Sequence, residues 1–152
     1  MRLVAIDPGV HHFGWACFGD GELYGAGRWE EGKLLPAYAR DADELVIELP
    51  RVYRKSKGDP TDLIDLAFAA GRYVEQLTPK KLFSCRPSDW KGQVPKPKRA
   101  EEPYIIAQRC MKALGGEALR QVEWAGAAKA RWDTWDAIGL ALWRLKTTGV
   151  RP

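Results

Sequence analysis

From Ala137 to Trp143 the chain reads AIGLALW, which is apolar on nearly every face a helix would present. Such a helix must be covered on several sides, so the rest of the chain has to supply a layer that buries it. Residues 2 to 6 are an apolar run ending at Asp7, and Pro8-Gly9 after it signals a turn. Residues 13 to 18 (FGWACF) and 22 to 29 (ELYGAGRW), separated by Gly19-Asp20-Gly21, continue this run as an antiparallel meander. A fourth strand, ELVIEL over 44 to 49, is closed by Pro50, and KLFSC over 81 to 85 makes a fifth. Between these two, Leu63, Leu66, Ala67, Ala70, Val74 and Leu77 recur at helical spacing. They predict a helix over 62 to 77 with Thr61 or Asp62 as its cap. Helices over 101 to 114 and 133 to 146 complete the chain, with a break at Gly115-Gly116 and room for a short strand near Gln121 to Trp124. The order predicts an α/β fold, a mixed five-stranded sheet with helices on both faces.

A length of 152 residues with 45% hydrophobic content suits a single domain over 1–152. The formal charge of +4 is mild, so its distribution carries more information than its total. Arg51, Arg54, Lys55 and Lys57 fall within residues 51 to 58, which contain no acid. Arg86, Lys91, Lys96, Lys98 and Arg99 face only Asp89. Both stretches are positive stripes of the kind phosphate attracts. Cys17, Cys85 and Cys110 are odd in number and lack paired short spacing, which speaks against a disulfide framework or zinc knuckle and for a reducing cytoplasm. The first residues hold no long apolar region, and no segment approaches the roughly 20 apolar residues of a membrane span.

Four acids stand at places where chemistry can collect. Asp7 ends the first strand, Glu48 ends the fourth, and Asp133 and Asp136 stand where the last helix is expected to begin, three residues apart and so on one side of it. Ligands of open α/β sheets gather beyond strand ends. Crowded carboxylates repel unless a cation neutralises them. Magnesium prefers such hard oxygen donors, and a pair of ions about 4 Å apart can activate water against a phosphodiester and stabilise the leaving oxygen. Each acid alone has an ordinary explanation: Asp7 as a turn residue, Glu48 on an edge strand, Asp133 as a helix cap with Asp136 at the third helical position. Their combination and order favour the catalytic one.

The series VAIDPGV, VIEL and DTWDAIGLAL resembles the RuvC family of Holliday junction resolvases, within the RNase H-like superfamily, over nearly the whole chain. The resemblance implies that Asp7, Glu48, Asp133 and Asp136 ligate two Mg²⁺ ions, with Mn²⁺ able to substitute. It also implies a homodimer that cuts branched DNA, the four-way junction, to leave 5′-phosphates. In the family an aromatic residue after the glutamate enters the junction; Tyr53 stands there, with Val52 or Arg51 as alternatives. Lys91 matches a family lysine that follows a proline-containing turn and contacts the scissile phosphate. A second family lysine opens the next helix, where Ala100-Glu101-Glu102 stands here and Lys98 or Arg99 is the substitute. Arg51, Arg54, Lys55, Lys57, Lys96, Lys98, Arg99, Lys129 and Arg131 are the remaining expected DNA contacts.

His11 and His12 are expected at the surface, Trp90 in packing, and Trp132 and Trp135 in the core or the site wall. Three alternatives remain open on sequence: a nuclease of the same fold acting on RNA:DNA hybrid or structured RNA, a nucleotide-binding ATPase, and a non-catalytic junction-binding module. The ATPase fold normally uses two such domains, which this length disfavours.

Overall fold

Unbroken burial from Leu3 to Ile6 places the first segment inside the sheet, covered on both faces. The computed structural model describes residues 1–50 and 59–149. Strands β1 (Arg2–Pro8), β2 (His12–Gly19) and β3 (Glu22–Glu30) form the expected antiparallel meander. A short helix α1 (Ala37–Arg40) precedes β4 (Glu44–Glu48), which pairs parallel to β1. Helix α2 (Pro60–Leu77) then leads to β5 (Lys81–Cys85), parallel to β4. After β5 come a single turn α3 (Pro87–Trp90), helix α4 (Ile105–Ala118), strand β6 (Val122–Glu123) and the long helix α5 (Ala128–Thr147).

Among the described residues the sheet has six strands, in the order β5-β4-β1-β2-β3-β6, where five were expected. The sixth is two residues long, too short to carry a period of its own, and it exists through its pairing of Val122 with Ala26.

The odd residues Leu3 and Ala5 of β1 pack with Ala16, Ala26 and Val46 against α4 and α5. Val4, Ile6, Trp15, Leu45 and Ile47 point the other way, toward α1 and α2. Both faces are therefore covered, as the apolar strands require.

Two helix starts differ from expectation. Asp59, not Thr61 or Asp62, caps α2 by accepting the Thr61 amide at 2.9 Å, and Pro60 takes the first helical position, where a missing N–H costs nothing. Helix α4 begins only at Ile105, because Pro103 disfavours helical backbone in the residue before it. Far from β4's acidic end, Arg144 of α5 makes a two-pronged pair with the buried Glu44 at 2.5 and 3.2 Å, fixing the helix across the sheet.

Candidate active site

One row of the sheet organises the site. Asp7 pairs with Gly14, and Gly14 with Arg28. Ile6 pairs with Ile47, so Asp7 and Glu48 leave the sheet side by side. Side chains alternate along a strand, so Asp7, two residues after Ala5, faces α5. Helix α5 crosses this row directly over Gly14, where an added Cβ would lie 1.9 Å from the Asp133 carbonyl oxygen. The missing side chain lets the helix settle onto the strand and brings Asp133 and Asp136 down to Asp7. From the opposite face, the Tyr73 hydroxyl donates to the Gly9 and Val10 carbonyls at 2.9 and 3.0 Å, holding the turn that follows Asp7.

Two lysines from the segment after β5 enter the cluster. Lys96 Nζ lies 3.4 Å from Asp7, 3.0 Å from Asp133 and 3.4 Å from Asp136. Lys91 Nζ lies 3.2 Å from Glu48 and 3.3 Å from Asp136. Carboxylate oxygens that share an ammonium are thus within twice those distances of each other, so the four acids form one group. Arg28 Nε and His12 Nε2 both approach Asp133 Oδ2 at 3.4 Å.

Two neutral donors complete the set. The Trp90 indole N–H donates to Glu48 Oε2 at 2.7 Å, and the Tyr104 hydroxyl donates to Asp136 Oδ1. Asp136 itself is fully buried.

Burial pushes the Asp7 carboxyl up to about 8; Lys96 opposes this, while Asp136 and Glu48 add to it. Burial pulls Lys91 and Lys96 down, yet the surrounding carboxylates outweigh it and hold both ammoniums above the usual range. Burial and the Arg28 charge lower His12, against the pull of Asp133. Among the described residues no three His, Cys, Asp or Glu side chains are placed to hold a metal ion as they stand, because the ammoniums lie between the acids. The donor set nevertheless suits one. All four acids offer hard carboxylate oxygens, two cationic groups already occupy the space between them, and Asp7 resists ionising without more positive charge beside it. Asp7, Glu48, Asp133 and Asp136 are the residues that would hold divalent ions.

RuvC from Thermus thermophilus superposes on the chain with a TM-score of 0.56 at 14% identity, covering 99% of this chain and 98% of its own. T. thermophilus RuvC in complex with a Holliday junction substrate gives 0.57, again at 14% identity, with 99% and 97% covered. The fold is RNase H-like, as in RuvC. No protein-family model matches the chain, and no curated protein matches it.

Within this RuvC-like fold, the four acids named from sequence and Lys91 come together. Asp133 and Asp136 do so from the second and third turns of α5, not from its start; Ala127 is the cap, since Ala128 to Arg131 are good helix formers that extend the helix upstream. Lys96, expected along the DNA stripe, points into the acidic group. Lys98, Arg99 and Lys129 are exposed on the surface. Arg131 donates to the Ala125 and Gly126 carbonyls at 2.8 and 3.3 Å and so secures the turn before α5. Arg51, Tyr53, Arg54, Lys55 and Lys57 lie outside the described residues.

Sequence reasoning missed Arg28, Tyr104 and the carboxylate contacts of His12 and Trp90. His12 carried a legible signal, since it flanks the turn that follows Asp7, and Arg28 carried one only through the meander register that sets it in the row of Asp7 and Gly14. Tyr104 carried none.

Proposed function

We propose that this protein is a Holliday junction resolvase, a metal-dependent endonuclease that cuts four-way DNA junctions in recombination and repair. One observation carries this reading: acids from β1, β4 and α5 meet at one end of a RuvC-like sheet, with two lysines among them. When bound, a pair of Mg²⁺ ions, or Mn²⁺ in their place, supplies the charge that activates water and stabilises the leaving oxygen.

The chain's own residues do the rest. Asp7, Glu48, Asp133 and Asp136 hold and orient the ions. Lys91 and Lys96 are long enough to turn from the carboxylates to the scissile phosphate, where each offsets the charge that builds up during attack. Lys98, Arg99, Lys129 and the basic residues 51–57 supply phosphate contacts, which makes binding strongly salt-dependent. Tyr53 is the candidate for insertion at the crossover.

A junction has two-fold symmetry, which a homodimer with one site per protomer matches, giving paired cuts with 5′-phosphate ends. Exposed Ile64 and Phe68, four residues apart on one face of α2, are suited to that contact. The three cysteines are free and buried, in keeping with a reducing cytoplasm, and no helix among the described residues is long and apolar enough to cross a membrane.

The test is a mobile four-way junction incubated with wild type or Asp7→Asn, with Mg²⁺ or chelator. Symmetric nicks made only by wild type with metal are expected. Equal cutting by the variant, or preferred cutting of an RNA:DNA hybrid, overturns the proposal.

A further inference from the structure

Trp90 and Tyr104 are the only uncharged side chains that hydrogen-bond the site's carboxylates among the described residues. Their partners are Glu48 and Asp136, the same two acids that Lys91 joins. On Asp136, Tyr104 takes Oδ1 while both ammoniums meet Oδ2; on Glu48, Trp90 and Lys91 meet the same oxygen, Oε2. A buried carboxylate needs donors on its lone pairs. A lysine satisfies that need by cancelling the charge, whereas a phenol or indole satisfies it and leaves the charge intact for a cation.

Both donors are packed against neighbouring elements. Tyr104 is 5% exposed at the start of α4. Trp90 lies against Gly139 of α5 so closely that a Cβ there would come 2.9 Å from its ring. The ring also forms one wall of a cavity of about 730 Å³ shared with Ile106, Cys110, Leu142 and Trp143.

We propose that Trp90 and Tyr104 are positioning residues that fix Glu48 and Asp136, each occupying one carboxylate oxygen so that the acid presents its charge to a divalent ion in a single orientation. This rests on the metal-dependent reading above and adds two residues to it. Partners that orient metal-ligating groups in this way typically contribute about 10- to 100-fold in metal affinity.

The experiment is Mn²⁺ binding by calorimetry to the full-length wild type, Tyr104→Phe, Trp90→Phe and, as control, Trp143→Phe, which alters the same cavity without touching a carboxylate. Tyr104→Phe removes only an oxygen and keeps the ring. Each of the first two variants is expected to bind Mn²⁺ about tenfold or more weakly. The metal concentration for half-maximal nicking should rise by the same factor, with KM for the junction unchanged and most of the rate recovered at saturating metal. The control should bind like wild type. Folded Tyr104→Phe and Trp90→Phe that keep wild-type affinity overturn the inference, as does an equal loss in the control. Wild type that binds Mn²⁺ but cuts no junction overturns the proposed substrate, and the two donors are then judged on affinity alone.

Discussion

Gly14 is the residue on which the site's geometry turns. What a side chain there would strike is backbone, the Asp133 carbonyl at 1.9 and 2.2 Å, so no rotamer change can relieve the clash. Gly14→Ala must lift α5 from β2, an overpacking that costs about 1–3 kcal/mol or more. It should lower Tm by roughly 5–10 °C and, because Asp133 moves with the helix, weaken Mn²⁺ binding and abolish nicking. Gly71, inside α2, has open space around it and an ordinary helical backbone. Gly71→Ala should instead stabilise by about 0.5–1 kcal/mol; both effects are read by thermal melting. Nothing in the sequence marks Gly14 as a point of close approach, since it owes its importance to a helix that arrives more than a hundred residues later. Asp7 and Glu48 were legible because each ends an apolar run.

At the level of elements, the strand starts are tied together at the end of the sheet away from the acids. Asp43 just before β4 accepts from Lys80 just before β5 at 2.6 Å and from the Arg2 amide of β1 at 2.8 Å. The Lys80 hydrogen bond, with the Arg2 amide beside it, holds the Asp43 carboxyl down at about 2 from an ordinary 3.8. A depressed carboxylate stabilises the fold above its unfolded value and loses that contribution as pH falls through its folded one. The melting difference between wild type and Asp43→Asn should therefore be full above pH 4 and vanish as pH falls from about 4 to about 2. The longer strands of this sheet were legible as apolar runs bounded by turn residues. Helix boundaries were not: Asp133 resembles a cap by residue type, yet Ala128 to Arg131 propagate the helix a full turn beyond it. The cap preference of a single aspartate is outweighed by the helix propensity of those four residues before it, which are largely exposed.

For the whole molecule, the proposed homodimer requires an exposed apolar surface. Ile64 and Phe68 are 67% and 70% exposed on α2, and two copies meeting there would cover them both. Ile64→Glu with Phe68→Glu should give a monomer by sedimentation equilibrium, with little loss of protomer stability because neither side chain is in the core. Paired cuts should become single nicks. A double variant that remains dimeric assigns the interface to another surface.

The sequence by itself determined the five longer strands, the three long helices, the α/β class and the identities of the four acids, because periodicity, turn chemistry and the need for carboxylates are local properties of residue types. Tertiary structure decided which other side chains reach those acids. Lys96 meets Asp7 across 89 positions of chain, and Trp90 meets Glu48 across 42. Contacts of that kind are set by how α5 and the segment after β5 pack on the sheet, and no local pattern encodes the distance between them.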